Sequence, residues 1–470
     1  MLDGVQKVRL TPLLVYASHF AIFLQSQNMF AHVIINRKLP EKLNSLIYTI
    51  PPSLANHIQV GSIVSVPLRN SLIHGIVIKK THSKDIAIKN IKDIEAIQPL
   101  SSLNKKQLQS IHEISSYYCC TLSSVVKFFL PPVPKRLIKP LGEYEKPSIH
   151  ENQKEIFEKQ KRYLFKYTFE REKYHFYKQC IDQVISGGGQ ILFIFAELFQ
   201  LQAFEQELMP NTFVSLKGST RSTQYYRAWD AIAQKKVSII TGTRKAWLAP
   251  FSSLQLIIVD DEHNSSHKNW DMHPRMHNRD VGYLLANIHK SALILSSFAP
   301  SCESFLQVMR KELQLIHPNS KQHFHKFTLV NLADEGKWGH YAFLSQATQQ
   351  SIERNMAQGT QTLLLLNKKS EYGSVVCAHC KVHALCATCK LPLRGSLAQE
   401  RERKNAFCLR CQQEVPFPSF CMSCQKTGFR LSGISMTRLS QELKKRFPHA
   451  TVLPMHAESR SLARAKKLQK

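Results

Sequence analysis

At 470 residues the chain is longer than one hydrophobic core usually serves, and its 43% hydrophobic content reads as globular, in three or four domains. Its 63 Lys and Arg against 34 Asp and Glu give a net charge of +29, far beyond what solubility requires. A polyanionic partner is implied, nucleic acid ahead of an anionic membrane because no long basic amphipathic helix is present; scattered lysines on solvated faces are the bland alternative.

In chain order, residues 11–24 (TPLLVYASHFAIFL) are the only long apolar stretch. The stretch carries His19 and falls short of the ~20 residues of a membrane span. A signal peptide would have Lys7 and Arg9 ahead of it but lacks a clear small-residue cleavage site. Residues 1–28 are therefore expected to be an N-terminal extension, with Met29 beginning the protein proper. From Ala31 to about Lys80 the runs AHVII, SLIYTIPP, GSIVSVPL and HGIVIKK alternate with turns, which predicts a small β domain of five or six strands over 29–104. Residues 104–132 show apolar side chains at three-to-four spacing and end at a double proline, giving a compact helical unit over 105–135. A polar, proline-bearing linker follows over 136–150.

Over 151–345 the runs ILFIFA, TFVSL, VSIIT, LQLIIVDD and SALILSS are separated by helical stretches, the pattern of a parallel sheet covered on both faces. A further strand, QTLLLLNKK (361–369), is expected to open a second α/β unit over 346–470 that a cysteine cluster at 377–424 interrupts. Strand LQLIIV ends in VDDEHNSSHK (259–268), and three acids and a histidine at a strand end are how a motor ATPase presents magnesium to a nucleotide. Yet the chain has no Gly-x-x-x-x-Gly-Lys-Ser/Thr loop to hold phosphates. The acids Asp260, Asp261 and Glu262 with His263 also admit the plainer reading of solvated charges at a strand end.

Eight of the 12 cysteines form four Cys-x-x-Cys pairs, which points to metal in a reducing cytoplasm rather than to disulfides. Tetrahedral zinc needs two pairs, so two closed sites of four thiolates are expected. The 18 residues between Cys389 and Cys408 suit one site of Cys386, Cys389, Cys408 and Cys411, leaving Cys377, Cys380, Cys421 and Cys424 as an outer, nested site. Two structural zinc ions are preferred to iron-sulfur or free thiols, and closed sites brace rather than catalyse. Cys119, Cys120, Cys180 and Cys302 are expected to be buried thiols.

From Ala31 nearly to its end the chain resembles the PriA family of replication restart helicases. The resemblance is carried by GSIVSVPL with HGIVI, SSYYCCTLSSVVKFFLPP, TGTRKAWLAPF, VDDEHNSSHK with HNRD, LSSFAPSCES, LLLLNKKSEYGSVVCAHC, the four cysteine pairs, and GISMTRLSQELKKRFPHA. It implies a multidomain α/β protein: a 3′-end DNA-binding β domain, a winged helix over 105–135, a RecA-like helicase lobe over 151–345, and a partial second lobe with a double-zinc insertion. It also implies binding to replication forks and single-stranded/double-stranded junctions, near the nucleoid and away from membranes, and cooperation with primosome proteins and the replicative helicase loader.

Against the family pattern the phosphate loop is degenerate. Where it should lie the chain reads TFEREKYHF, keeping only Lys173, while Phe169, Glu170, Arg171 and Glu172 bring β-carbons and two negative charges, and Tyr174 replaces the magnesium-binding hydroxyl. Asp261 stands in place of the family's catalytic glutamate. The arginine-bearing segment of lobe two is not in the sequence, and Lys368 and Lys369 are no evident substitute; such an arginine is worth roughly 10³ to 10⁵ in rate. ATP and magnesium are therefore doubtful cofactors and ATP-driven unwinding is not expected, the alternatives being an active ATP-dependent 3′ to 5′ helicase or a decayed gene product. For DNA, the resemblance puts Tyr48 in a pocket for a 3′ end and Gly61 on the matching strand. Arg69, Arg244, Trp270, Arg275 and Arg279 are candidates for strand contact, because cations hold phosphate and aromatics stack bases.

Overall fold

The computed structural model describes residues 29–37, 39–40, 43–82, 90–98, 102–130, 144, 156–317, 327–332, 344–367, 372–396 and 405–454. The expected extension 1–28, the linker 136–150 apart from Tyr144, and Lys368 with Lys369 lie outside them. The chain divides into two compact units, meeting in sequence at Gln322 and His323.

The first unit begins with a five-stranded antiparallel sheet of order β2-β1-β4-β3-β5, from β1 (Met29–Ile35), β2 (Leu46–Ile50), β3 (Ile63–Leu68), β4 (Ser71–Thr81) and β5 (Ala96–Ile97). Its alternating Ala31, Val33, Ile35, Val64, Val66 and Val77 build one core on one face. Two helices follow, α1 (Lys105–Tyr117) and α2 (Leu122–Phe129). Asn104 caps α1 by accepting from the Gln107 amide at 2.9 Å while the Gln107 side chain returns a bond to the Asn104 amide, and Thr121 accepts from the Ser124 amide to start α2.

A seven-stranded sheet comes next, entirely parallel, in the order β12-β6-β11-β10-β7-β9-β8. Its strands are β6 (Arg162–Lys166), β7 (Gln190–Ile194), β8 (Phe213–Leu216), β9 (Ile239–Gly242), β10 (Leu254–Val259), β11 (Ala292–Ser297) and β12 (Gln314–Ile316). The connecting helices are α3 (Glu170–Ser186), α4 (Leu198–Gln206), α5 (Ser222–Ala233) and α6 (Asn278–His289), with α7 (Cys302–Met309) before β12. Because successive strand residues point to opposite faces, Phe165, Ile191, Phe193, Leu256, Ile258 and Ile294 pack under α3 and α4. Leu164, Leu192, Ile194, Ile257, Val259, Leu293 and Leu295 pack on the other face.

That second cluster does not stop at the sheet. It runs on through α5 and α6 into Ile111, Val125, Val126 and Phe129 of the first two helices and Ile34, Ile63 and Ile76 of the antiparallel sheet. Polar ties cross the same boundary: Gln107 Nε2 donates to the Leu248 carbonyl at 2.7 Å, Lys245 Nζ to the Phe128 carbonyl, and Tyr118 Oη to Asp280 Oδ2 at 2.8 Å. The three modules read from the sequence thus share one continuous core.

In the second unit, α8 (Gln346–Ala357) and α9 (Met436–Arg446) pack through Leu344, Ile352, Leu439, Leu443 and Phe447. A five-stranded antiparallel sheet of order β16-β15-β14-β13-β17 carries the cysteines, built from β13 (Tyr372–Cys377), β14 (Arg394–Ser396), β15 (Asn405–Phe407), β16 (Glu414–Pro416) and β17 (Phe429–Ser432). The strand expected over 361–369 is not formed across its described residues, 361–367. A buried parallel strand needs a ladder on each side, and no described strand lies beside this segment; Leu364 leans on the α8/α9 cluster while Leu363 and Leu365 are each 92% exposed. A second correction concerns the four remaining thiols. Only Cys180 is buried; Cys119, in a left-handed turn after α1, and Cys302, in the first turn of α7, face solvent.

Candidate nucleotide site and metal centres

The carboxyl ends of the parallel strands are where an open α/β sheet places a ligand, and the acid box falls there, at the end of β10. α3 rises from the end of β6 because Phe176, Tyr177, Cys180, Ile181 and Val184 form one buried stripe, and the helix stops at Gly187, Gly188 and Gly189. Its first turn brings Lys173 beneath β10.

Lys173 is almost wholly enclosed. Its Nζ lies 3.3 Å from Asp260 Oδ1 and 3.0 Å from Glu170 Oε2, between the rings of Tyr167 and Tyr174 at 5.2 and 5.4 Å. Asp260 is fully buried, and its Oδ1 also accepts from Tyr177 Oη at 2.5 Å. Tyr177 is in turn bonded to Ser296 of β11. Burial pushes the Asp260 carboxyl up to about 6 against the opposing pull of Lys173. Asp261, in a left-handed conformation, accepts from Tyr167 and, at 2.7 Å, from Gln200 of α4. Glu262 accepts from Arg279 at 2.9 Å, from the Ser301 amide at 2.7 Å and from Ser304 Oγ at 2.9 Å. His263 Nδ1 sits 2.7 Å from Ser297 Oγ.

Every acid of the box is thus bonded to a protein group, and none is a solvated strand-end charge. Tyr167, Tyr177, Gln200 and Ser296 were not singled out from the sequence. Tyr177 alone left a signal there, standing one helical turn after Lys173 on the same face.

The residues expected on DNA fall into two sets. Tyr48 is 4% exposed, packs in the core of the first sheet and donates to the Pro67 carbonyl. Gly61 has φ +96°, and a Cβ there would lie 2.1 Å from the Leu103 carbonyl oxygen, so a close backbone approach accounts for it. Arg279, instead of facing solvent, neutralises buried Glu262 and donates to Ser301 Oγ at 2.6 Å, while half-buried Arg244 donates to Asn269. Arg69, at the β3/β4 turn, and Arg275 are exposed, and Trp270 is 67% exposed.

The eight paired cysteines gather into two quartets, Cys377, Cys380, Cys421 and Cys424, and Cys386, Cys389, Cys408 and Cys411, each with its sulfurs within 4.8 Å of one another. Each pair makes the same turn. The amide of the first cysteine donates to the carbonyl five residues on, as from Cys377 to Val382 and from Cys421 to Lys426, and the residue after the second cysteine is left-handed: Lys381, Lys390, Gln412 and Gln425. Backbone amides at the turn draw the first thiol of a pair down, to about 6 for Cys377 and Cys386, which favours the thiolate a metal requires. Zinc–sulfur bonds of about 2.3 Å set sulfur–sulfur edges near ~3.8 Å. Cys377–Cys424 and Cys380–Cys421 are at 3.6 Å and Cys389–Cys408 at 3.4 Å, so both quartets fit a closed tetrahedral ion.

The family model for the 3′ DNA-binding domain of PriA matches residues 32–131, the antiparallel sheet with α1 and α2. The replication restart protein PriA of Rickettsia conorii is 25% identical over 439 residues, covering 89% of this chain and 66% of that protein. Over most of its length the chain is similar to PriA replication restart proteins. The PriA of Bacillus subtilis is 28% identical over 296 residues, 62% of this chain and 36% of that protein, so the chain spans about one third to two thirds of the length of these relatives. Among solved structures the Pyrococcus furiosus Hef helicase domain aligns at a TM-score of 0.26 and 14% identity over 43% of this chain and 51% of that one, too little to carry an argument. The PriA match therefore gives this chain a DNA-binding module, and no helix among the described residues is long and apolar enough to cross a membrane.

Proposed function

We propose that this chain is a replication restart protein that binds DNA forks and junctions through a basic surface, braced by two structural zinc ions, and that it does not unwind DNA with ATP. One observation carries the reading: the one residue kept from the family's phosphate loop, Lys173, is 2% exposed and already neutralised by Asp260 and Glu170. A nucleotide would have to break a buried ion pair and displace a carboxylate before meeting that ammonium. Around it stand buried Asp260 and Asp261, which repel a triphosphate in a medium that screens poorly, and the more exposed Glu170 and Glu172, which add charge of the same sign.

DNA contact is assigned to the cations and the aromatic that stay on the surface, Arg69, Trp270 and Arg275, with half-buried Arg244 at the edge of the same unit. Tyr48, Gly61 and Arg279 serve the scaffold. Because the matched 3′ module and the parallel-sheet lobe share one core, an end held by the first lies at a set distance from the second. Primosome proteins and a helicase loader are the partners this resemblance suggests. ATP hydrolysis on forked DNA decides between this reading and an active helicase: no turnover above the DNA-free background is expected, and turnover lost on Lys173→Ala would overturn it.

A further inference from the structure

Residues 361–367, which follow α8 in the second unit, show a strand's alternation without a strand's partners. Leu364 and Leu366 are half-buried, Leu364 against the α8/α9 cluster, while Leu363 and Leu365 are each 92% exposed. Among the described residues no amide or carbonyl of 361–367 is bonded to another backbone group, and Thr362 Oγ1 accepts from Asn355 Nδ2 at 3.0 Å. One exposed leucine is ordinary. Two at alternate positions, beside a row of unpaired backbone donors and acceptors, are an edge open to an added strand.

The charge around the segment says what can fill that edge. The chain as a whole carries +29, so its copies repel one another and a polyanion is drawn to its surface. Residues 346–367 nevertheless hold a single acid, Glu353, and a single base, Arg354. The cations of α9, among them Arg446, which donates to Gln349 of α8, belong to the helical layer on the Leu364 side. On the bare side a polyanion finds nothing to hold, and two copies meeting there oppose no like charges. An uncharged, apolar strand fits, and a second copy of the same segment supplies one.

Alternation also fixes the register. Opposed residues of an antiparallel pair point to one face, so like faces must be opposed if the helices of both copies are to lie on the same side. A ladder centred on Leu364 does this: Leu363 faces Leu365 of the second copy on the bare side, and Gln361 faces Asn367 at the ends. We propose that residues 361–367 are a self-association strand through which two copies of this chain pair antiparallel about Leu364 in an isologous dimer. The pairing depends neither on DNA nor on ATP, so it stands or falls apart from the functional reading.

The test is sedimentation of the full, zinc-loaded chain without DNA, over a range of concentrations at moderate salt. The wild type is expected to pass from monomer to dimer. Leu363→Lys with Leu365→Lys opposes like charges twice across the ladder, and Leu363→Glu with Leu365→Glu does so with the other sign. Each is expected to weaken the dimer at least ~10-fold. An equimolar mixture of the two variants is expected to recover it, because each lysine then faces a glutamate. Both positions stand in solvent, so the monomer's circular dichroism should not change. A wild type that stays monomeric, charged variants that dimerise like the wild type, or a mixture that recovers nothing would each overturn the pairing.

Discussion

Lys173 Nζ and Asp260 Oδ1 lie 3.3 Å apart, with side-chain exposures of 2% and 0%. In a working phosphate loop that lysine is held for the nucleotide, and its loss should leave the fold largely intact. Here Lys173→Ala strands a buried carboxylate. We expect a loss of about 3–5 kcal/mol of stability, read by denaturant unfolding, with Lys173→Met combined with Asp260→Asn recovering much of it in a double-mutant cycle. A Lys173→Ala protein as stable as the wild type would contradict the pairing.

The two cysteine quartets predict two zinc ions per chain by elemental analysis of protein purified without chelator. Cys386→Ser or Cys408→Ser should leave one. Since structural metal binding is coupled to folding, the depleted second unit should lose its cooperative unfolding, while tryptophan signals from the first unit, which holds Trp229, Trp247 and Trp270, stay unchanged.

Fork binding should weaken along log[salt] with a slope of about −0.9 per phosphate contacted. Trp270→Ala is expected to remove ~1–3 kcal/mol of single-strand affinity if one base stacks on the indole, and Arg275→Ala to lower affinity and flatten the salt slope. Gly61→Ala should behave differently. Its positive φ and the Leu103 carbonyl place the cost, about 1–3 kcal/mol of strain or more, on folding, so DNA affinity per folded molecule should be unchanged.

Acid should destabilise the first unit between pH 6.5 and about 4. His267, bonded to the Asp260 carbonyl at 2.7 Å and to Asn278 at 2.8 Å, is held by burial at about 4, with nearby His277 adding to the effect and Asp261 and Glu262 opposing it. His289 is lowered to about 4 by burial and by Lys106. Both folded values lie below the ordinary 6.5, so the unfolded chain takes up protons first and stability falls with pH, by on the order of 3 kcal/mol for each at the limit. Asp260 opposes this between 6 and 3.8, because its folded value is raised. His289 Nδ1 is buried without a partner among the described residues and its ring meets Phe251 edge-on. His289→Phe is therefore expected to raise the melting temperature at pH 5 more than at pH 7.

Legibility in the sequence followed the range of the interaction that shapes each feature. β7, β8, β9, β10 and β11 were readable because strands covered on both faces become unbroken apolar runs. β12 was not, having three residues, and neither was β6, which is bounded by the polar Arg162 and Lys166. The leucines of 361–367 looked like a strand because composition reports apolarity, whereas pairing depends on neighbours. Both metal quartets could be read because spacing alone brings two thiols onto one turn. The acid box was visible but its bonds were not, since Lys173 and Asp260 are 87 residues apart in sequence.

The core that joins Ile34 and Ile76 of the first sheet to Leu192 and Leu293 of the parallel sheet removes a degree of freedom. A body made in one casting works as a caliper, not as a hinge. Under the proposed function it is expected to favour junctions whose arms match a fixed gap, and a variant that loosened the seam, such as Ile111→Ala, to blur that selectivity before lowering overall grip.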